Sequence, residues 1–306
     1  MSIVISNLTK KFGLQKAIDN ISFRVNDNEI VGFLGPNGAG KSTTMKIVTG
    51  CMEADAGTAV VNGIDISKSP LEVKKQLGYL PESNPLYHDM YVREYLQFIV
   101  DVHQTTNGKK RIEEVIDLTG LRRECKKKIG QLSKGYKQRV GLAASLIHDP
   151  RVLILDEPTT GLDPNQIIEI RELIRELGKN KTVLFSSHIL QEVESVCDRV
   201  VIINKGSIVA DDTLLNLRTS NKTSHTIIVE FSQGIESSSL DHLEEAIKVE
   251  KEGAATFRLL TQDPEILKKN LFAFSIENNL DIVSLKTEHK SLEDIFRNLT
   301  GNSQNN

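Results

Sequence analysis

Apolar positions along the chain change period from segment to segment, and those changes mark its elements. Ile3–Ile5 and Ile21–Val25 alternate apolar with polar residues, the period of a strand with one wet face. Asn26-Asp27-Asn28 is a turn signal ahead of the apolar run Ile30–Leu34, so a hairpin of Ile21–Val25 with Ile30–Leu34 is expected. A helix opens near Lys41 and stops at Gly50, a residue suited to a left-handed cap. Gly57–Val61 and Leu77–Leu80 read as short strands. Helical periodicity then dominates from about Pro85 to Ser145, as in Val92–Ile99 and Ile112–Leu118. Val152–Leu155 and Thr182–Ser186 are apolar runs of the kind buried on both faces. Between them Pro164–Leu177 is amphipathic, with Gly178 as its expected stop. Ile189–Cys197 is helical and Val200–Ile203 is a further strand. Strand–helix alternation of this kind predicts a mostly parallel sheet covered by helices.

A second pattern begins after the polar stretch Thr219–Ser224, which reads as a linker. Thr226–Phe231, Phe257–Leu260 and Ile282–Thr287 are expected strands, and Leu240–Ile247 an expected helix. Asp263-Pro264-Glu265 opens a helix with Asp as the cap and Pro at the first position. Ser291-Leu292-Glu293-Asp294 starts a last one in the manner of a capping box. The expected division is residues 1–218 for a first α/β domain, with a helical subdomain at about 85–145. A small α+β domain follows over 222–300, then a disordered tail at 301–306.

Composition narrows the class. The 306 residues are 39% hydrophobic and 26% charged, ordinary for a globular chain, and carry a net charge of −3. Nothing in that balance argues for nucleic acid, and aromatics at 5% with no Trp weaken a base-stacking reading further. Cys51, Cys125 and Cys197 are far apart and read as buried or free thiols in a reducing compartment. The N-terminus does not resemble a signal peptide, and no stretch approaches the ~20 apolar residues of a membrane span.

Gly35-Pro36-Asn37-Gly38-Ala39-Gly40-Lys41-Ser42 fits the phosphate-loop pattern G-x-x-x-x-G-K-[ST], with a strand before it and a helix after. Its glycines let backbone N–H groups turn inward as an anion nest, and the helix start adds partial positive charge. Lys41 would reach the β- and γ-phosphates of ATP. Ser42 would give its hydroxyl to Mg²⁺, and Thr43 would add a donor. In Val152-Leu153-Ile154-Leu155-Asp156-Glu157-Pro158 an apolar strand ends in two carboxylates, a costly arrangement unless a cation meets them. Asp156 suits Mg²⁺ held through water, and Glu157 suits polarising the attacking water. His188 follows a buried strand at the end where ligands gather in open α/β sheets, although a lone histidine is more often structural.

These segments, with Leu132-Ser133-Lys134-Gly135-Tyr136 and Gly161-Leu162-Asp163, stand in the order seen in ABC-type ATPases. Over roughly residues 2–215 the chain resembles a nucleotide-binding subunit of an ABC transporter. The resemblance implies a P-loop NTPase fold of ABC type, with a mostly parallel sheet, an antiparallel N-terminal β part and a helical subdomain. It implies catalytic roles for Lys41, Glu157 and His188, and an adenine-stacking role for Phe12. Ser133, Lys134 and Gly135 would contact ATP bound by the opposite subunit, and Asp163 would lie at the dimer interface, besides suiting a helix cap before Pro164. Glu82 stands where most members carry a glutamine that binds the metal. A carboxylate there adds negative charge beside Mg²⁺ and cannot donate when ionised. Lys134 and Tyr136 replace the usual glycine and glutamine.

Residues 222–306 resemble the appended domain of drug- and polymer-exporting ABC ATPases, and the whole chain is most similar to the gliding-motility-associated branch. That implies a homodimer or paired ATPase subunit and a separate transmembrane permease, on the cytoplasmic face of the inner membrane, powering export. Two alternatives stay open on the sequence: an ABC protein acting on ribosomes or DNA, and a non-hydrolysing nucleotide-dependent regulator.

Overall fold

The computed structural model describes residues 1–219, 225–240, 243, 245–288 and 292–301. The core of the expected linker at 220–224, the capping residue Ser291 and the tail 302–306 lie outside the described residues. The chain divides into two compact units, Met1–Leu214 with Leu299 onward, and Leu215–Asn298.

The first unit opens with β1 (Ile3–Phe12), β2 (Gln15–Val25), β3 (Ile30–Leu34) and α1 (Lys41–Val48). Then come β4 (Ala56–Val61), β5 (Ile64–Asp65), α2 (Pro70–Gln76) and β6 (Leu77–Leu80). Three helices follow, α3 (Val92–His103), α4 (Gly108–Leu118) and α5 (Lys134–Leu146). The unit continues with β7 (Val152–Asp156), α6 (Pro164–Gly178), β8 (Thr182–Ser187), α7 (Leu190–Val196), β9 (Arg199–Asn204) and β10 (Ser207–Thr213). Helix α8 (Leu214–Thr219) begins at its boundary.

One sheet has the order β2-β1-β4-β5 and is antiparallel. The other has the order β10-β9-β3-β8-β7-β6, parallel throughout except for the edge strand β10. β3, β7 and β8 are buried at every residue, as their unbroken apolar runs require. Ile3, Ile5 and Phe23 of the first sheet, Phe33 and Ile154 of the second, and Met45, Ile47 and Val48 of α1 form one core.

The expected hairpin of Ile21–Val25 with Ile30–Leu34 does not form. Ile21–Val25 pairs with β1, whereas β3 lies between β8 and β9 in the other sheet, so Asn26–Glu29 carries the chain from one sheet to the next. A run that is apolar at every position suits a strand covered on both faces, as in a helix-covered parallel sheet, and not a half-wet antiparallel one. Gly178 is the last residue of α6 and not its stop. A Cβ there would lie 2.3 Å from Ile30 Cδ1, so its bareness serves close helix–strand packing. Gly50, by contrast, takes φ 67° just past α1, and its N–H bonds Ile47 O, as a left-handed cap should.

The second unit is a four-stranded antiparallel sheet, β12-β13-β11-β14. Its elements are β11 (His225–Phe231), β12 (Ala246–Lys251), β13 (Thr256–Thr261), α9 (Pro264–Glu277) and β14 (Ile282–Glu288), and α10 (Leu292–Gly301) runs across its boundary at Asn298. Ile227, Val229, Phe231, Phe257 and Leu259 face Leu267 and Leu271 of α9. Asp263 caps α9 by accepting the N–H groups of Glu265 and Ile266. The helix expected over Leu240–Ile247 is not found among its described residues. Ala246 and Ile247 begin β12, where pairing with β13 overrides the helix propensity of Glu245 and Ala246.

Candidate nucleotide site

The parallel strands β3, β6, β7 and β8 all end at one edge of their sheet, and each delivers functional residues there. β3 leads into Gly35–Gly40 and α1. Gly40 sits at φ 110° with its Cα against the Ala17 carbonyl, where an added Cβ would approach to 2.5 Å, so the turn needs glycine. Its carbonyl accepts the Thr44 N–H and starts the helix. Lys41, Ser42 and Thr43 lie in the first turn, where N–H groups have no carbonyl of their own helix to meet. Gly35 and Ala39 use their amides inside the protein, on Ser187 O and Pro36 O.

Lys41 is only 6% exposed. Its Nζ donates to Gly35 O at 2.8 Å and Pro36 O at 3.3 Å, and lies 3.3 Å from Glu157 Oε1. Asp156, at the end of β7, is 1% exposed. Its Oδ1 accepts from Ser186 Oγ at 2.6 Å and Ser42 Oγ at 3.2 Å. Burial pushes the Asp156 carboxyl up from its ordinary value. The two hydroxyl hydrogen bonds act against that rise, Glu157 adds to it and Lys41 opposes it.

Glu157 adopts φ 50°, a left-handed conformation that a residue with a side chain rarely takes. Its N–H donates to Ser186 Oγ at 2.9 Å, which holds the turn. Its Oε2 accepts from Thr160 Oγ1 at 3.2 Å and lies 2.8 Å from His188 Nδ1. Facing an acceptor-only carboxylate, Nδ1 carries the ring proton. Lys41, Glu157 and His188 therefore form one linked row.

That row borders a cavity of about 490 Å³ lined by Asn37, Gly38, Gly40, Ser42, Thr43 and Glu82, with Ala17 and Thr160. Glu82 is exposed, in the segment following β6. The remaining expected residues lie elsewhere. Phe12 ends β1 and is 51% exposed, outside the cavity lining. Ser133 caps α5, accepting the Tyr136 N–H at 3.4 Å. Gly135 packs on Gln166 and Lys134 lies over Gly161, so this segment abuts its own chain's Gly161–Gln166 turn and does not line the cavity. Asp163 caps α6 by accepting the Gln166 N–H at 3.0 Å. Ser186, Thr160 and Ala17 were not singled out by the sequence. Two serines closing the apolar strand β8 were the available signal for Ser186, while Thr160 and Ala17 gave none.

Comparison with known proteins agrees with this geometry. The profile of the family described as "ABC transporter" matches residues 18–160. The linearmycin resistance ATP-binding protein LnrL of Bacillus subtilis (strain 168) is 34% identical over 304 residues, covering 96% of this chain and 97% of that protein. The bacitracin transport ATP-binding protein BcrA of Bacillus licheniformis is 35% identical over 314 residues, covering 98% of each. A solved ATP-binding subunit of an ABC transporter superposes with TM-score 0.66 at 30% identity, over 72% of this chain and 93% of that one. With the relatives matched almost end to end and the phosphate loop, Asp156 and Glu157 gathered at one sheet edge, the chain belongs to the ATP-binding proteins of ABC transporters, a family of ATPases.

Proposed function

We propose that this chain powers export through a separate membrane-spanning subunit, hydrolysing ATP in a pair of ATPase chains. The observation that carries the reading is Glu157, a strained, buried carboxylate held between Lys41 and His188 at the mouth of the phosphate loop. In this reading the amides at the start of α1 take the phosphate oxygens, and Lys41 exchanges Gly35 O and Pro36 O for the β- and γ-phosphates. Glu157 orients the attacking water. As the water oxygen bonds to the γ-phosphorus, the bond to the ADP oxygen breaks, and the water's proton passes towards the carboxylate. His188 holds Glu157 in place and faces the γ-phosphate side.

The residues fit Mg²⁺. Asp156 Oδ1 and Ser42 Oγ are hard oxygen donors side by side, and burial disfavours the Asp156 charge that a cation would stabilise. The metal would neutralise charge on the β- and γ-phosphate oxygens. Glu82, which also lines the cavity, would add a third oxygen donor.

Pairing is supported by the position of Ser133–Gly135. The segment presents a helix start yet stands apart from its own cavity, as a residue set serving a neighbouring chain's ATP would. Asp163, on the turn that Lys134 covers, belongs to the same face. Phe12, exposed near the cavity's Ala17 strand, is the proposed adenine platform. Residues 1–218 are read as the ATPase domain and 222–300 as an accessory domain. The names of LnrL and BcrA favour antibiotic export over gliding motility, and both match through the second unit. No helix among the described residues is long and apolar enough to cross a membrane, which fits a subunit docked on the cytoplasmic face of the inner membrane.

Glu157→Gln tests the reading. Turnover should fall about 10²–10⁴-fold, the range of a lost general base. ATP should still bind and should shift the protein to a dimer in light scattering. Turnover within about threefold of the parent would remove Glu157 from the reaction.

A further inference from the structure

Glu192 is 1% exposed, and none of the steps above uses it. It lies in the first turn of α7, just beyond His188. Ser187 Oγ donates to Glu192 Oε2 over 2.7 Å, and the same oxygen accepts the Ile189 N–H over 3.0 Å. Both neighbours of His188 in the chain are thus tied to one hydroxyl. Ser187 is fully buried, and its carbonyl accepts the Gly35 N–H that opens the phosphate loop.

The other carboxylate oxygen, Oε1, faces Arg171 Nη2 of α6 at 3.8 Å. Arg171 Nε is buried with no hydrogen-bond partner, so the pair is not a two-pronged one. A buried carboxylate met by one hydroxyl and one distant guanidinium is a costly way to fill space. What it supplies is direction. An ionised carboxylate can only accept, so Ser187 must donate to it and turn a lone pair to the Ile189 N–H. Without that acceptor the hydroxyl can swing to the Ile189 carbonyl, 3.4 Å away, and the turn loses its tie.

We propose that Glu192 is a positioning residue for hydrolysis: through Ser187 it fixes the turn that aims His188 at Glu157. The inference rests on the reading of His188 as a group acting on bound ATP. Glu192 touches neither ATP nor the water, and its effect passes wholly through the turn.

The test is a double-mutant comparison of steady-state turnover and ATP affinity. Glu192→Gln keeps the shape but can present an NH₂ to Ser187, and Ser187→Ala removes the hydroxyl. Each should lower kcat about tenfold while leaving the ATP Kd within about threefold. In a His188→Ala background the further loss from Glu192→Gln should be under about twofold, because the positioned group is already gone. Losses that multiply in full in that background would overturn the proposal, as would wild-type kcat in both single variants. If His188→Ala alone turned over at the wild-type rate, the reading of His188 would fall and this inference with it. A slow His188→Ala with multiplying losses would sink only the positioning role.

Discussion

Asp156 lies at the end of β7 with almost no exposure, and its carboxyl titrates above the usual range because burial outweighs its two hydroxyl donors and Lys41. The folded state therefore holds this proton more tightly than the unfolded chain. That contribution favours folding at low pH and is lost as pH rises from the ordinary carboxylate value through the raised one, so at neutral pH the ionised group destabilises the ligand-free fold. Asp156→Asn keeps an oxygen for Ser186 and Ser42 and removes the charge. We expect the variant to be about 1 kcal/mol more stable than the parent at pH 7 by urea unfolding. We also expect it to lose the extra stability that Mg²⁺ with ATP confers on the parent. A variant destabilised by more than about 1 kcal/mol would mean that the charge is already well compensated. At this scale the sequence is legible where chemistry depends on local spacing: Lys41, Ser42, Asp156 and Glu157 all stand where the motif puts them. It is silent on Ser186, whose role exists only because β7 and β8 pair with Asp156 opposite Ser186.

Elements were readable where one period ran unbroken, as in β3, β7 and β8, and failed where the outcome depended on distant partners. Ile21–Val25 and Ile30–Leu34 have the sequence of a hairpin, but their burial patterns differ, one-sided in β2 and complete in β3, and burial decides which sheet each joins. Ala246–Lys251 follows helix formers yet completes the sheet of the second unit. β10 has no strand period in its sequence, because the apolar Ile208–Ala210 are followed by Asp211-Asp212-Thr213, and it lies at an edge with no fully buried residue. The helical segment also contains a titratable contact between elements. His103 ends α3 and His148 follows α5, and their rings stack at 3.9 Å and 3°. His148 Nε2 bonds Leu77 O at 3.1 Å, leaving a buried Nδ1 without a partner. Burial first, then His103, pushes His148 down to about 4, with Lys181 and Arg111 adding to the fall, while burial also lowers His103. Both histidines are held neutral in the fold, so stability is complete above the unfolded value near 6.5 and is lost as pH falls towards 4. From His148 alone, urea unfolding should show about 2 kcal/mol less stability at pH 5 than at pH 7, and His148→Gln should remove most of that difference. An unchanged pH dependence in His148→Gln would assign the loss to other groups.

At the scale of the molecule, the order of motifs along the chain gave the family, and the sheet explains why that order works. Strands far apart in sequence run parallel, so the residues that follow them arrive at one edge from Gly35 to His188. The second unit was legible as α+β from its alternating strands and the Asp263 cap, although the helix expected over Leu240–Ile247 is not found among its described residues. LnrL and BcrA carry the match through this unit, so it is not an addition peculiar to this chain. Everything proposed here begins with the triphosphate seated on the first turn of α1 under the Lys41 ammonium. Titration calorimetry of ATP with Mg²⁺ into the purified chain and into Lys41→Ala examines that directly. We expect the substitution to weaken binding about 10–100-fold, as the loss of a charge-assisted contact does, and to bring phosphate release down to background. Binding and turnover equal to those of the unsubstituted protein would contradict it.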